Sequence, residues 1–118
     1  YTLIEFWASW CSPCRVVNQE LRQRMSAFKN ANIQIVCFSL DNTSAPWKTT
    51  VEKDKTGGLQ ISDLKATESP IVKFLNMTSI PQNILVDSNG EIVKKNIYAK
   101  DINAFLETLK SKHENISK

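Results

Sequence analysis

The order of helical and strand patterns along the chain predicts a three-layer α/β sandwich, with helices on both faces of a mixed central sheet. Three observations predict this fold class. An apolar strand pattern near the start is followed by an amphipathic helix and a second apolar strand, an order typical of parallel strands joined by a crossover helix. A hairpin signal late in the chain predicts antiparallel strands. A last amphipathic helix then closes the fold.

The first half of the chain contains two predicted strands and the helix between them. Residues 2–8 are mainly apolar and are typical of a strand. The stretch from about Pro13 to Lys29 is predicted to be one amphipathic helix, because apolar residues recur at helical spacing at Val17, Leu21, Met25 and Phe28. Residues 33–40 are β-branched and almost wholly apolar, so we expect a central strand that is covered on both faces.

The middle of the chain is predicted to hold two short helices. Ser44 is a suitable cap for a helix that runs from Ala45 to about Lys53. Residues 59–65 are ambiguous between strand and loop, and we leave them unassigned. Pro70 suits the first position of a second helix that extends through Leu75, because a proline there loses no hydrogen bond.

The end of the chain is predicted to form a hairpin and a helix. Asn89-Gly90 lies between two β-rich runs, residues 84–86 and 91–95, which is a strong hairpin signal. The last helix is expected from Asp101 to about Lys112, with an apolar stripe formed by Ile102, Phe105, Leu106 and Leu109.

Length and composition predict a single soluble globular domain over residues 1–118. The chain is 42% hydrophobic and 23% charged, and no apolar stretch approaches the ~20 residues of a membrane span. We therefore expect a monomer with no membrane contact by this segment. The net charge is +3, but the basic residues are scattered, which argues against nucleic acid as a partner. The chain starts inside a strand at Tyr1, so we expect upstream residues, with a possible anchor or signal peptide.

Cys11 and Cys14 form a C-x-x-C motif between the end of a strand and the start of a helix. Two cysteines three apart in a first helical turn lie on the same side, close enough for a disulfide. Cys11 would occupy the cap, where unpaired N–H groups stabilise a thiolate. A thiol whose pKa falls from ~8.5 to ~7 is about half ionised at neutral pH and is a competent nucleophile. Pro13 stiffens the loop between the two sulfurs.

Three less reactive interpretations of this pair are a structural zinc site, a structural disulfide and two buried, idle cysteines. A structural zinc site needs four ligands, and the chain offers only Cys37 and His113 beyond the pair, so no metal is expected. A structural disulfide over so short a loop would contribute only about 2 kcal/mol, and the helix dipole favours its reduced form. Two buried, idle cysteines would fit poorly beside a Ser-Pro turn. The redox-active disulfide itself is the only cofactor-like group that we expect.

The segment Phe6-Trp7-Ala8-x-Trp10-Cys11-x-Pro13-Cys14-Arg15 resembles the active-site segment of thioredoxins. Ser79-Ile80-Pro81 before an apolar strand, followed by a second strand, resembles the later half of that fold. There the resemblance implies a cis proline that faces the disulfide. The strand end at residues 38–41, Trp47 and the insertion before Pro81 resemble the TlpA/ResA-like branch of extracytoplasmic thiol-disulfide oxidoreductases.

This resemblance extends over residues 2–109 and implies a thioredoxin fold. It also implies a periplasmic or cell-envelope location in bacteria rather than a cytoplasmic one, and a role in cell redox homeostasis. The implied partners are protein substrates with a disulfide or dithiol and a separate redox partner protein upstream in the electron flow.

The chain departs from the branch at two positions. Many members carry a glutamate three residues after the second cysteine, where this chain has Val17. Glu5 matches instead the buried acid of thioredoxins. If buried, it would have a raised pKa and could exchange a proton with Cys14, whereas at an open strand end it would simply point to water. Cys37 stands where thioredoxins often place a lysine, and we expect it to be a small buried residue without a catalytic role.

These observations together predict a thiol-disulfide oxidoreductase, with the reducing direction favoured by Pro13 and by the resemblance. Cys11 would attack the substrate disulfide, and Cys14 would resolve the mixed disulfide. An extended substrate segment would dock on the backbone of residue 80. The expected substrate contacts are Trp10, Ser12, Pro13, Ile80 and Pro81. A non-catalytic binding module stays open as an alternative, and a thiol peroxidase is less favoured because the Thr-x-x-Cys setting is absent.

Overall fold

A mixed sheet of five strands forms the centre of the computed structural model, which describes residues 1–98 and 101–108. The strands follow one another across the sheet in the order β3-β2-β1-β4-β5. Their bounds are Thr2–Trp7 for β1, Gln34–Ser39 for β2, Leu59–Ile61 for β3, Gln82–Val86 for β4 and Ile92–Lys95 for β5.

Helices flank this sheet, which confirms the predicted α/β fold class. Four of them and a short 3₁₀ turn at Ala66–Glu68 lie between the strands. The helices are α1 at Ser12–Gln23, α2 at Met25–Asn30, α3 at Ser44–Asp54, α4 at Pro70–Phe74, and a last helix, α5, at residues 101–108. The predicted continuation of α5 to Lys112 lies outside the described residues.

Strand β1 is the middle strand, and its two neighbours run in opposite directions. It pairs in parallel with β2, so that Glu5 lies opposite Cys37. On its other side it pairs antiparallel with β4, which places Asn83 opposite Glu5. The crossover through α1 and α2 joins the parallel pair, and β4 and β5 form the antiparallel hairpin. Both pairings agree with the sequence-based expectation.

The cysteine pair packs in the hydrophobic core together with residues of β1. Leu3 and Trp7 are fully buried in a cluster that also contains Cys11 and Cys14. Alternate residues of a strand point to the same face. Glu5, between Leu3 and Trp7, therefore points to the face on which the cysteine pair packs.

The predicted long first helix is in fact two helices. The backbone leaves the helical conformation at Arg24, with φ −113° and ψ 14°, and its N–H bonds to the carbonyl of Leu21 instead of Glu20. The sequence has no glycine or proline at this point. The apolar spacing does not mark the break, because Leu21 and Phe28 are both buried on either side of it.

Two smaller expectations also change. Thr43, not Ser44, occupies the position before α3, so that Ser44 is already helical. The unassigned residues 59–65 begin with β3, a three-residue strand that pairs in parallel with β2. Gly58 allows this pairing, because a Cβ at this position would lie 2.8 Å from the carbonyl oxygen of Ile35. Its φ of +83° also favours glycine.

Candidate active site

The two cysteines lie at the N-terminus of α1, where the sequence places them. Cys11 is the residue before the helix, with extended backbone, and its Sγ accepts a hydrogen bond from the backbone N–H of Cys14 at 3.3 Å. The two residues form a disulfide, with their Cα atoms 5.3 Å apart. The N–H of Cys14, in the first turn, thus points toward the sulfur that would carry the charge of a thiolate.

The two sulfurs differ in access. Cys11 retains 6% of its surface, whereas Cys14 is completely buried. The predicted contact residues next to Cys11 lie on the surface: Trp10 is 71% exposed, and Ser12 and Pro13 are also exposed. Of the two sulfur-bearing residues, only Cys11 thus retains a solvent-exposed surface.

Asp41, just after β2, anchors the loop that leads into the cysteine pair. Its carboxylate accepts hydrogen bonds from the N–H of Ser9 at 3.1 Å and from the hydroxyls of Ser9 and Ser39, each at 2.5 Å. Sequence reasoning used Asp41 only as part of a resemblance and missed this contact. The available signal was a carboxylate at a strand end, where its backbone and side-chain partners converge.

A second anchor fixes the outer face of α1. The guanidinium of Arg15 holds the carboxylate of Asp54 through two contacts, Nε to Oδ2 at 2.6 Å and Nη2 to Oδ1 at 2.8 Å. Gln19 donates to the backbone carbonyl of Asp54 at 2.7 Å. Hydrogen bonding to Arg15 lowers the pKa of Asp54, so the pair remains ionised at neutral pH. The first two turns of α1 are thus fixed to the C-terminal end of α3.

Glu5 lies in the interior and not at an open strand end. It is fully buried, and its Oε2 accepts a hydrogen bond from Nδ2 of Asn83 at 2.9 Å. Burial raises the pKa of Glu5 to about 8, and the bond from Asn83 opposes part of that rise. This is the environment that the proton-carrier prediction for Glu5 requires. The role itself stays a prediction.

Cys37 is a buried free thiol beside Glu5. Its Sγ lies 3.5 Å from the carbonyl oxygen of Gly57. Burial, and the nearby charge of Glu5, raise the pKa of Cys37 to about 12, so the thiol stays protonated and unreactive at neutral pH. This agrees with the expectation of a small buried residue.

The peptide bond between Ile80 and Pro81 is cis, as the sequence predicts. Ile80 is half-buried and packs against the core cluster that contains both active-site cysteines. The carbonyl of Pro81 accepts a hydrogen bond from the hydroxyl of Tyr98 at 2.9 Å. The direct apposition of Pro81 and the disulfide stays a prediction.

Residues 1–98 and 101–108 contain no group of three or more His, Cys, Asp or Glu side chains arranged to hold a metal ion. None of their helices combines the length and apolar character needed to cross a membrane. His113, considered above as a zinc ligand, lies outside the described residues.

Comparison with known proteins identifies the family. The family model described as Thioredoxin-like matches residues 1–92, more than half of the chain. The chain belongs to this thioredoxin-like family. The matched range includes both cysteines, Glu5 and the cis proline.

Two relatives are named as thiol-disulfide oxidoreductases. This thioredoxin-like chain is 24% identical over 96 residues to sporulation thiol-disulfide oxidoreductase A of Bacillus subtilis, covering 81% of the chain and 58% of that protein. It is 26% identical over 111 residues to thiol-disulfide oxidoreductase ResA of Geobacillus kaustophilus, covering 91% of the chain and 62% of that protein. The chain therefore spans about three fifths of the length of these relatives.

The solved structure of a thiol-disulfide oxidoreductase has the same fold. A thiol-disulfide oxidoreductase from Bacteroides fragilis is 33% identical, with a TM-score of 0.81 over 92% of this chain and 80% of that one. The comparisons confirm the thioredoxin fold and the resemblance to the ResA-like branch.

Proposed function

We propose that the protein reduces disulfides in other proteins through the pair Cys11 and Cys14. The observation that carries this proposal is the placement of the pair at the start of α1, where Cys11 retains 6% of its surface and Cys14 is completely buried. A nucleophile and a resolving thiol need this arrangement, because only the first must meet the substrate.

The chemistry transfers two electrons in two exchange steps. The thiolate of Cys11 attacks one substrate sulfur, which forms a mixed disulfide and releases the other substrate sulfur as a thiolate that takes up a proton. Cys14 then loses its proton and attacks Sγ of Cys11. The mixed disulfide breaks, the substrate leaves with both thiols reduced, and the protein retains the Cys11–Cys14 disulfide. A dithiol protein upstream restores the reduced pair by the reverse exchange.

Glu5 is proposed as the acid and base for Cys14. Its carboxylate would accept the proton when Cys14 attacks, and its carboxylic acid would return a proton when the disulfide reopens. A pKa of about 8 supports this role, because both protonation states are then accessible near neutral pH.

The proposed substrate surface surrounds Cys11. Trp10, Ser12 and Pro13 would contact the segment around the substrate disulfide. The backbone of Ile80, before the cis bond to Pro81, would pair with that segment in an extended conformation. The hydrogen bond from Tyr98 to the carbonyl of Pro81 supports a fixed loop at this position.

We further propose that the protein works as a monomer in the periplasm or cell envelope of a bacterium. The resemblance to the extracytoplasmic TlpA/ResA-like branch supports this location. Protein substrates and an upstream dithiol protein are the partners that the exchange chemistry requires.

Turnover of insulin disulfides, driven by dithiothreitol, tests the proposal. The wild-type protein and the control Cys37→Ala should both accelerate reduction over dithiothreitol alone, whereas Cys11→Ser should not. Binding of a disulfide protein by the wild type without any turnover would refute the proposal and support the binding module.

A further inference from the structure

The side chain of Asn83 is held in one orientation by the peptide groups of Ile97. Its Oδ1 accepts from the N–H of Ile97 at 2.8 Å, and its Nδ2 donates to the carbonyl of Ile97 at 2.8 Å. Exchanging the amide oxygen and nitrogen would place donor against donor and acceptor against acceptor. The second N–H of Nδ2 is therefore fixed toward Oε2 of Glu5, 2.9 Å away.

This orientation makes the two oxygens of Glu5 unequal. Oε2 accepts a hydrogen bond from Asn83 at every pH, because the amide does not titrate. Oε1 is buried and has no hydrogen-bond partner among the residues that the structure describes. In the neutral acid the proton is accordingly expected on Oε1, because a proton on Oε2 would oppose the N–H of Asn83.

We propose that Asn83 is a positioning residue for disulfide exchange, which holds Oε2 of Glu5 and reserves Oε1 as the oxygen that exchanges a proton with Cys14. The inference rests on the proposed proton transfer by Glu5. It assigns a role to a residue 78 positions away in sequence, which β4 brings opposite Glu5.

Few other groups compete for this carboxyl. Cys37 faces it from β2, Cys14 lies on the α1 side of the sheet, and Tyr98 approaches after β5. Burial raises the pKa of Tyr98 to about 12 and that of Cys37 to about 12, so both stay neutral while Glu5 titrates. From β4, the neighbour of Glu5 is the uncharged Asn83 itself.

Loss of the Asn83 amide should raise the pKa of Glu5. A hydrogen bond donated to a carboxylate stabilises the charged form. Without it, Glu5 should ionise about one pH unit higher, and its carboxylate population at neutral pH should fall about tenfold. The resolving step, which needs that carboxylate, should slow by a similar factor in Asn83→Leu.

Carboxyl titration by NMR tests the positioning directly. Protein labelled with ¹³C at the glutamate carboxyls gives the midpoint of Glu5, assigned by its loss in Glu5→Gln. The midpoint should move upward in Asn83→Leu, and also in Asn83→Ala, because neither side chain offers Glu5 an N–H. Asn18→Leu removes another buried asparagine and should retain the wild-type midpoint. An unchanged midpoint in both Asn83 variants would overturn the inference.

A double-variant comparison separates this inference from the proposed function. Single-turnover reduction is measured against pH for Asn83→Leu, Glu5→Gln and the double variant, with rates scaled to the folded fraction. If Asn83 acts through Glu5, the double variant should be no slower than Glu5→Gln alone, and fully additive losses would contradict the inference. If Glu5→Gln alone leaves the rate unchanged, the proposed proton transfer fails, while the NMR midpoint still decides what Asn83 does.

Discussion

At the scale of single residues, the difference in exposure between Cys11 and Cys14 predicts different roles for them. Cys14→Ser should accumulate a mixed disulfide between Cys11 and a substrate protein, because the attack that releases the substrate is lost. Cys11→Ser should trap nothing. Non-reducing gels after incubation with a disulfide protein measure both outcomes. Faster alkylation of Cys14 than of Cys11 in the reduced protein would show that the roles are reversed.

Cys37 is predicted to have no role in disulfide exchange. Cys37→Ala should lower the free energy of unfolding by roughly 1 kcal/mol through the cavity that it leaves. Turnover per folded molecule should stay at the wild-type value, because the thiol is protonated and bonded within the core. Urea unfolding and insulin turnover are the measurements. A large loss of turnover without unfolding would give Cys37 a role that its burial does not indicate.

The sequence predicts the residues whose signal is local. Cys11, Cys14 and the cis bond before Pro81 each belong to a short motif, and Glu5 is conspicuous as an acid within an apolar strand. Asn83 has no such signal. Its contact with Glu5 depends on the register between β1 and β4, which tertiary packing determines.

At the scale of elements, the loop between β1 and α1 depends on a carboxylate supplied by β2. In Asp41→Asn an amide nitrogen replaces one acceptor oxygen, so one of the N–H or O–H groups of Ser9 and Ser39 faces a donor. The free energy of unfolding should fall by about 1–3 kcal/mol. Disulfide exchange should slow severalfold, because Cys11 follows this loop directly.

A matched aspartate provides the control for this experiment. Asp63 also anchors a loop, accepting from the N–H of Lys65 at 3.1 Å and the hydroxyl of Ser69 at 2.6 Å, but its loop precedes α4. Asp63→Asn should lower stability and leave exchange in the folded fraction unchanged. Equal rate losses in the two variants would mean that the effect of Asp41 is general destabilisation.

Most elements are predictable because each has a periodic pattern of its own. The exceptions are informative. Strand β3 has three residues, too few for a pattern, and it depends on the close approach that Gly58 allows. The break at Arg24 is invisible because the apolar spacing continues through it. Both features arise from packing between segments that are distant in sequence.

At the scale of the whole molecule, the buried acid makes stability depend on pH. The unfolded chain ionises Glu5 near its ordinary pKa of about 4.5, whereas the folded protein retains the proton until about 8. The free-energy penalty for burying the ionised carboxylate of Glu5 is therefore absent below pH ~4.5. It grows by about 1.4 kcal/mol per pH unit and is complete above pH ~8. The free energy of unfolding should accordingly fall by a few kcal/mol as the pH rises through this range.

Glu5→Gln isolates this penalty, because glutamine resembles the protonated acid and never ionises. The variant should match the wild type near pH 4.5 and exceed it by about 3 kcal/mol near pH 7. Urea unfolding at both pH values, with Glu91→Gln on the exposed hairpin turn as control, provides the comparison. A constant difference between Glu5→Gln and the wild type at all pH values would show that the carboxyl ionises normally in the folded state.

The two edge strands of the sheet affect whether copies of the protein can associate through strand pairing. Strand β3 offers only three residues, while β5 ends in Lys94 and Lys95 and joins β4 through an irregular register. Short, charged and irregular edges are poor templates for another strand. We therefore expect neither edge to pair readily with a strand of a second copy of the protein.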